Sequence, residues 1–487
     1  MPPMTATPRP GRAGSAPAPP LEPSPAEMRR LVGAALDRLV RHVETLPEQP
    51  AAATAGGAAR ARALAGPLPI AGRPLEEVLD LLFERAVPCS FNTAGPGYLA
   101  YIPGGGLFHA AVADLIADTV NRYVGVFAAA PALAQLEADV TRWLAEIVGY
   151  PPQARGLLTS GGSLANFTAL VTARREKLPE DFLGGTLYVS DQTHHSVAKA
   201  ALLAGFPAAA VRAVPSDGAR RIRLDALAER VAADRAAGRR PFLVVGNAGT
   251  TNTGAVDPLP ALAALAGREG LWFHVDAAYG GFFALTGRGR AVLDGIERAD
   301  SVVLDPHKGM FLPYGTGALV VRDGEALRRA HSFGAEYLPG AQEDRDLVDF
   351  HEISPELSRP FRGLRLWLPL QLLGIGPFRE ALDEKLDLAR WLADALAATP
   401  GFELVSEPEL SLFAFRLHPG GIEGAALDAL NRELLARVNA RNRVHLTATV
   451  LDCGFVLRAC VLSFRTHRDR IEAALEDLRA AAAELPG

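Results

Sequence analysis

The sequence has few cysteines, no long apolar run and no excess of basic residues. Its three cysteines, Cys89, Cys453 and Cys460, are scattered, and no pair has the spacing of a zinc site or a redox motif. We therefore expect reduced thiols in a cytoplasmic protein, and no metal site. No apolar run is long enough to span a bilayer, which argues against a membrane partner. The net charge of −5 offers no basic surface to nucleic acid.

The length of 487 residues predicts more than one domain, because a single hydrophobic core rarely grows past about 250–300 residues. Residues 1–23 are rich in Pro, Ala and Gly and lack the apolar stretch of a signal peptide, so we expect a disordered tail. Residues 24–106 form a predicted helical segment. It begins with a helix capped by Ser24, has an Ala/Gly linker over residues 51–66 and resumes after Pro74. We expect these helices to pack on another surface, such as a partner subunit.

Residues 107–373 alternate between helices and short apolar strands, which is the pattern of a mostly parallel α/β sheet covered by helices on both faces. The predicted strands are Thr186–Val189, Phe242–Val245, Leu271–Val275, Ser301–Leu304 and Ala318–Val321. Residues 374–487 predict a small C-terminal α+β domain. Its predicted elements are the helix Phe378–Ala398, the strand Leu410–Leu417, the helix Ala425–Val438 and the strand Phe455–Phe464.

A glycine-rich turn within Leu157–Asn166 ends one strand and opens a helix. Glycines allow backbone N–H groups to approach an anion, and a helix N-terminus favours negative charge. Ser163 could therefore contact a phosphate while it caps the helix. The turn lacks the Lys-Ser/Thr pair of a P-loop, and a plain helix cap is an equally good explanation of this segment.

Two later strands end in ionisable residues. Asp276 follows an apolar strand, at the edge where ligands of open α/β sheets bind. Burying that carboxylate alone is costly, so we expect a cationic partner such as a protonated pyridine nitrogen, with room for a flat ring beside Ala278. A strand-end Asp that caps the next turn is the alternative. The next strand delivers Asp305, His307 and Lys308, and a lysine in this position can be consumed by forming an imine with a carbonyl.

Two further polar loops, Ser190–Ser196 and Asn247–Gly254, follow other predicted strands. Because the carboxyl ends of parallel strands share one edge, we expect these loops to meet Asp276 and Lys308 in one crevice. A single histidine in such a loop is more often structural than catalytic. The joint pattern is what indicates an active site.

Together these segments resemble the fold-type I enzymes that use pyridoxal 5′-phosphate (PLP), and more narrowly the group II amino-acid decarboxylases, over about residues 96–468. The most specific motifs are Asp-Pro-His-Lys308, His-Val-Asp-Ala-Ala-Tyr279 and Ser-Asp-Gln-Thr-His194, whose order and spacing also agree. The resemblance implies a seven-stranded, mostly parallel sheet, PLP as cofactor and a small-molecule amino-acid substrate. It also implies a homodimer whose active sites borrow residues from the neighbouring subunit.

The resemblance implies roles for individual residues. Lys308 matches the lysine that forms the imine with the cofactor, and Asp276 matches the carboxylate that keeps the pyridine nitrogen protonated. His194 matches the histidine stacked on the ring, with His195 as the neighbouring alternative. The other implied cofactor contacts are Gly162, Ser163, Thr251, Ala278 and His307.

The resemblance implies a substrate site as well. Tyr101 and Pro103 match the substrate-pocket segment, and Arg359 resembles an arginine that follows the mobile loop of the family. Tyr337, within a predicted lid over residues 332–356, matches the tyrosine that returns a proton to Cα. Some pocket positions depart from the aromatic enzymes: Gly309 stands in place of Trp, Thr93 and Ile102 in place of aromatic residues, and Val124 and Val126 make the next loop aliphatic.

The implied activity is the decarboxylation of an L-amino acid to its amine and CO2, by a carboxy-lyase whose substrate has an aromatic or other hydrophobic side chain. An aldehyde synthase or an aminotransferase on the same scaffold is the main alternative. Tyr337 argues against the synthase, because phenylalanine at that site marks aldehyde formation in the resembling family. A non-catalytic PLP-binding regulator is the second alternative, although the N-terminal segment has no basic recognition helix.

Overall fold

The computed structural model describes residues 21–333, 344 and 347–485. The chain divides into two compact units. The first comprises the described part of residues 1–49 and 53–91, and the second comprises residues 50–52 and the described part of 92–487. The predicted tail lies mostly outside the described residues, and the predicted boundaries near residues 107 and 374 stay predictions. Within the described ranges, no helix has both the length and the hydropathy needed to cross a membrane.

The first unit is helical. Its helices are α1 (Pro25–Glu44), α2 (Gly57–Leu64) and α3 (Leu75–Asp80), the last continuing as a π-helical turn over residues 81–86. The predicted cap of α1 is confirmed, since the Ser24 hydroxyl accepts a hydrogen bond from the Glu27 backbone N–H at 3.2 Å. The prediction of an uninterrupted linker was wrong. The Ala, Arg and Leu residues of α2 are strong helix formers, and they outweigh the flanking glycines.

The second unit begins with helices and then alternates helices with strands. In chain order its first elements are α4 (Phe108–Val120), α5 (Pro131–Val148), β1 (Arg155–Thr159), α6 (Gly162–Lys177), β2 (Gly185–Ser190), α7 (His195–Leu203), β3 (Val211–Val214), α8 (Leu224–Ala236), β4 (Arg240–Asn247), α9 (Leu259–Arg268) and β5 (Trp272–Asp276). They are followed by α10 (Gly287–Val292), β6 (Ser301–Leu304), α11 (Pro306–Gly309), β7 (Gly317–Val321), α12 (Gly324–His331) and α13 (Leu364–Leu373).

Seven of these strands form one sheet in the order β1-β7-β6-β5-β4-β2-β3. Five adjacent strands run parallel to one another, in the order β6, β5, β4, β2 and β3. The strand β7 lies between β6 and β1 and is antiparallel to both. The predicted mostly parallel sheet is therefore confirmed. Because β1 runs in the same direction as β6, the carboxyl ends of β1, β2, β4, β5 and β6 lie at the same edge.

A second, antiparallel sheet lies nearer the C-terminus. Its elements in chain order are α14 (Gly376–Ala397), β8 (Phe402–Leu404), β9 (Leu412–Leu417), α15 (Gly424–Ala440), β10 (Thr447–Leu451), β11 (Gly454–Cys460) and α16 (Arg468–Ala483). The strands pair in the order β10-β11-β9-β8. The predicted α+β character is confirmed, but the sequence analysis missed the two edge strands β8 and β10. Edge strands are only partly buried, so they lack the continuous apolar run that predicts a central strand.

The helix α6 packs on one face of the seven-stranded sheet, in the smaller of the two hydrophobic clusters that cover it. Its inward face carries small residues, Ala165, Ala169 and Ala173, which allow the helix to approach the sheet closely. Asn166 is on the same helix and is 3% exposed. A polar side chain is thus buried one turn from the glycine-rich start of α6, beside the edge where the parallel strands end.

Candidate active site

The carboxyl ends of the parallel strands surround a cavity of about 320 Å³, which is in the size range of small-molecule sites. All eight residues predicted to contact the cofactor line it: Gly162, Ser163, His194, Thr251, Asp276, Ala278, His307 and Lys308. Further lining residues are Ser160, Gly161, Leu164, Asn166, Ser196, Asn247, Gly249, Thr250, Tyr279 and Asp305. The sheet topology thus brings together segments that are far apart in sequence.

The glycine-rich turn forms a cradle at the start of α6. A Cβ atom on Gly162 would lie 3.0 Å from Asp305 Oδ2 and 3.3 Å from the Ala278 Cβ, so a side chain there would crowd the cavity. The first N–H groups of a helix have no partner within the helix. At Gly162 and Ser163 they provide donors suited to an anion, and the helix dipole adds to the attraction.

Asp276 ends β5 and is bonded by neutral donors. Its Oδ2 accepts from the Asn166 amide at 3.1 Å, and its Oδ1 accepts from the Ala278 backbone N–H at 3.1 Å. Among the described residues, no lysine or arginine forms an ion pair with this carboxylate. Neutral donors stabilise the carboxylate without cancelling its charge, which leaves it able to attract a cation in the cavity.

Lys308 lies in α11, just after β6. Its Nζ is 2.8 Å from Asp305 Oδ2. Of the four lysines in the sequence, Lys177 and Lys199 are exposed, and the Lys385 amine is buried against Glu384. Lys308 is therefore the lysine whose amine faces the cavity.

His307 and Asp305 share the short turn with Lys308. His307 Nδ1 is 2.7 Å from the Thr316 carbonyl oxygen, so Nδ1 carries the proton and donates. Burial lowers the pKa of His307, so the ring is neutral at pH 7. Asp305 is 2% exposed, and its Oδ1 is buried without a hydrogen-bond partner among the described residues. An unpartnered carboxylate oxygen at a cavity wall is expensive unless a ligand donor meets it.

His194 precedes α7, and its ring faces the cavity. Its Nδ1 is 2.8 Å from the Ser196 hydroxyl, which anchors the ring. Burial lowers the pKa of His194. His195, the alternative, lies tilted against His194, with 4.2 Å between ring centroids and 45° between ring planes. It is exposed and does not line the cavity.

The predicted substrate residues do not line the cavity. Tyr101 is half-exposed, with a left-handed backbone conformation (φ 50°), and Pro103 is buried. Arg359 is fully buried in an ion pair with Glu137, and it also donates to the Leu158 carbonyl oxygen at 3.2 Å. This places Arg359 behind the glycine-rich turn. Tyr337 lies outside the described residues.

Sequence reasoning missed two polar residues of the cavity wall, Asn166 and Ser196. Asn166 donates both to Asp276 and to Ser196, each at 3.1 Å. One signal for Asn166 was available, because asparagine is a poor helix former and needs a reason to sit inside an alanine-rich helix. The side chain's partners could not be inferred, since they lie 30 and 110 residues away.

The cavity fits PLP group by group. The start of α6 suits a phosphate, Lys308 supplies an amine for an aldehyde, and Asp276 offers an uncompensated carboxylate to a protonated ring nitrogen. The unpartnered Asp305 Oδ1 shows that the wall is incomplete without a ligand. A mostly parallel seven-stranded sheet with this set of groups at its carboxyl edge defines the class of fold-type I PLP enzymes.

The sequence model of the pyridoxal-dependent decarboxylase conserved domain matches residues 68–418. An aromatic-L-amino-acid decarboxylase from Bacillus atrophaeus is 33% identical over 467 residues, covering 96% of this chain and 97% of that protein. A phenylacetaldehyde synthase from Arabidopsis thaliana is 30% identical, covering 82% and 84%. The crystal structure of Oryza sativa TDC with PLP and tryptamine has a TM-score of 0.89 and 28% identity, covering 96% and 99%. The chain therefore belongs to the pyridoxal-dependent decarboxylase family, as a PLP-dependent carboxy-lyase that acts on an amino acid.

Proposed function

We propose that this enzyme decarboxylates an L-amino acid with an aromatic side chain, and that Lys308 holds its PLP. The observation that carries the proposal is the position of the Lys308 amine, 2.8 Å from Asp305 and in one cavity with the α6 cradle and Asp276. Support for an aromatic substrate comes from the Bacillus relative, which is named for aromatic amino acids and aligns over nearly its whole length.

PLP, when bound, supplies an electron sink for the bond between Cα and the carboxylate. The chain's part is orientation and electrostatics. The N–H groups at Gly162 and Ser163 would hold the phosphate, and Asp276 would hold a proton on the ring nitrogen. A protonated ring nitrogen withdraws electrons more strongly than a neutral one, so Asp276 would stabilise the transition state by keeping that proton in place.

His194 would lie against the ring face and orient the substrate carboxylate. Its Nδ1 faces the Ser196 hydroxyl at 2.8 Å, which leaves Nε2 as the nitrogen available to a ligand. Tyr337 would return a proton to Cα after CO2 leaves.

The departures at the pocket positions do not all enlarge the site. A Cβ on Gly309 would lie 2.6 Å from the Phe282 Cβ, so the space of the missing tryptophan side chain is occupied by Phe282. Val124 is fully buried and packs with Ala130 and Ala134, and Ile102 belongs to the main core. The space around these three positions is therefore filled by side chains of the protein itself.

A panel of L-amino acids assayed with added PLP tests the proposal. We expect CO2 release from L-tryptophan, L-tyrosine, L-phenylalanine or L-DOPA at least ten times faster than from L-leucine or L-glutamate, in line with the cost of leaving a shaped apolar pocket unfilled. Lys308→Ala is the matched control and should be inactive with every substrate. The highest rate with an aliphatic or acidic substrate would contradict the aromatic assignment.

The same assay separates the decarboxylase from an aldehyde synthase, the activity for which the Arabidopsis relative is named. Amine and CO2 in equal amounts are expected. Decarboxylation coupled to oxidative deamination would also release CO2, but it would consume O2 and water and give aldehyde, ammonia and hydrogen peroxide in place of the amine. We propose that Tyr337 favours the amine, so Tyr337→Phe should raise the ratio of ammonia to amine. An unchanged ratio would remove Tyr337 from the protonation step.

We further propose a homodimer in the cytoplasm. Two helices, one in each unit, have exposed apolar faces that support a protein partner: Val32, Leu36 and Val40 on α1, and Leu115, Ile116 and Val120 on α4. The three cysteines are unpaired, which suits a reducing compartment. Light scattering should give twice the 51.5 kDa chain mass, and Ile116→Glu should lower it. A monomeric wild-type protein would contradict the dimer.

A further inference from the structure

A chain of buried hydrogen bonds runs behind the cavity and ends at Asp276. The Trp272 indole Nε1 is 2.8 Å from Ser301 Oγ, which is 2.8 Å from His274 Nδ1. His274 Nε2 is 2.9 Å from Asn166 Oδ1, and Asn166 Nδ2 is 3.1 Å from Asp276 Oδ2. All five residues are at most 9% exposed. None of the four residues behind Asp276 has a role in the proposed chemistry.

The donor and the acceptor of each hydrogen bond in this series are fixed by its two ends, the Asp276 carboxylate and the Trp272 indole N–H, together with a neutral His274 ring. A carboxylate only accepts, so Asn166 must turn its NH2 group to Asp276 and its oxygen to His274. His274 Nε2 must therefore carry a proton. Burial lowers the pKa of His274 to about 4, so the ring is neutral and its Nδ1 accepts from the Ser301 hydroxyl. The Trp272 N–H, which can only donate, completes the chain at the Ser301 oxygen.

Asn166 also starts a second branch, toward His194. The other N–H of its amide donates to Ser196 Oγ at 3.1 Å. The Ser196 hydroxyl is 2.8 Å from His194 Nδ1, and the Ser196 backbone N–H approaches the same nitrogen at 3.3 Å. Two donors at Nδ1 make that nitrogen an acceptor. The neutral His194 ring then carries its proton on Nε2.

We propose that Asn166 is a positioning residue that fixes two groups at once. Through one N–H it holds Asp276 as an ionised acceptor, and through the other, by way of Ser196, it holds His194 as the Nε2–H tautomer. His274, Ser301 and Trp272 keep the Asn166 amide from rotating. The chemical use of these fixed states rests on the proposed function, because Asp276 would meet the ring nitrogen of PLP and His194 its face. The hydrogen-bonded state of Asp276 and the tautomer of His194 are set by protein groups and do not require the cofactor.

The states can be measured without cofactor. In cofactor-free protein labelled with 15N-histidine, two-bond 1H–15N correlations at pH 7.5 should show the Nε2–H tautomer for His274 and for His194. The signals are assigned by loss in His274→Gln and His194→Gln. A His274 ring protonated on Nδ1, or charged, would overturn the proposal whether or not the protein binds PLP.

The effect of Asn166 on the proton of the ring nitrogen is measured by NMR with PLP that carries 15N at its pyridine nitrogen. In Asn166→Leu, Asp276 loses a donor and takes a larger share of the proton, so the 15N signal should move toward that of unprotonated pyridine. The kcat should fall about tenfold to a hundredfold, the usual cost of losing a hydrogen bond to a charged group, with KM nearly unchanged. A wild-type 15N signal in folded Asn166→Leu would overturn the proposal.

Ser196→Ala is the matched control, since it cuts only the branch to His194. It should leave the pyridine signal unchanged and raise the share of the Nδ1–H tautomer of His194, because only the weaker backbone N–H donor at 3.3 Å then remains at Nδ1. Because this variant removes one hydroxyl, it keeps the proposal testable if Asn166→Leu does not fold. A His194 tautomer ratio unchanged from the wild-type protein would show that the backbone N–H alone fixes the ring, and would refute the second branch. Failure of wild-type protein to bind PLP would contradict the proposed function, and the His274 tautomer would still decide this inference.

Discussion

The two strand ends β5 and β6 lie side by side in the sheet, and each carries a buried carboxylate that is stabilised in a different way. Asp276 has both oxygens bonded by neutral donors, the Asn166 amide and the Ala278 N–H. Asp305 has a cation on one oxygen, Lys308 at 2.8 Å, and no hydrogen-bond partner on the other within the part of the chain that the structure describes. Neutral donors preserve the negative charge of Asp276 for a ligand. At Asp305 a protein cation already balances the charge.

This difference assigns different tasks to two residues of the same type. A carboxylate that keeps its charge is suited to hold a proton on a bound heterocycle throughout a reaction. A carboxylate paired with lysine is suited to hold the amine in place until the amine reacts. We therefore expect removal of the two charges to have very unequal effects on catalysis.

Removal of the charge at position 276 should have the largest effect. In Asp276→Asn saturated with PLP, kcat should fall about a thousandfold, because a neutral amide does not hold the charge of a pyridinium nitrogen. Steady-state kinetics with the best amino-acid substrate measures the loss, and PLP absorbance confirms that the variant is loaded. A loss of less than about tenfold would mean that Asp276 does not face the ring nitrogen.

A third buried carboxylate, Glu137, is neutralised by Arg359, whose side chain is also fully buried. Arg359→Met should lower the free energy of unfolding by about 3 kcal/mol, because Glu137 would keep only the Gly363 N–H. We place the effect at the low end for a buried pair, since two Arg359 nitrogens have no partners among the described residues. Urea unfolding measures it. An unchanged stability with a raised KM would instead support the substrate role implied by the sequence.

A buried neutral histidine, His331, makes the stability of the fold depend on pH. Burial lowers the pKa of His331 to about 4 from 6.5. Between these values the unfolded chain binds a proton that the folded protein does not, so His331 should cost about 2–3 kcal/mol of stability as the pH falls from 6.5 to 4. In His331→Gln, the decline of the free energy of unfolding over this range, measured by urea titration, should be smaller by that amount. Parallel curves for the two proteins would contradict the lowered pKa.

The smallest effect is expected at position 305. In PLP-saturated Asp305→Asn, kcat should change by less than about fivefold, or about 1 kcal/mol, since Asp305 contacts the Lys308 amine and would not meet the ring nitrogen. The same assay as for Asp276→Asn makes the two variants directly comparable. Equal losses in both would remove the distinction drawn between the two carboxylates.

The strand ends were predictable because a short run of consecutive residues contains both the strand and the reactive side chain at its end. An apolar run followed by Asp276, or by Asp305 and Lys308, predicts both the strand and the position of the side chain at its end. The glycine-rich start of α6 is equally local. Such segments are recognised without any knowledge of their neighbours, and the cavity unites the eight cofactor-contact residues that they carry.

The residues behind the strand ends were not predictable, because their roles depend on contacts across the chain. Asn166 meets Asp276 over 110 residues, and Arg359 meets Glu137 over 222. The resemblance implies a substrate contact for Arg359, and the structure places it in a buried pair outside the cavity. The helix α2 was missed for a different reason, since alanine and glycine were read together as a linker although alanine is the strongest helix former.

The covalent attachment of the cofactor is the central claim and can be tested directly. Borohydride reduction of the purified enzyme, followed by proteolysis and mass spectrometry, distinguishes the four lysines of the sequence, Lys177, Lys199, Lys308 and Lys385. We predict a phosphopyridoxyl group on Lys308 in the wild-type protein and on no lysine in Lys308→Ala. A label on another lysine of the wild-type protein, or on none, would contradict the account.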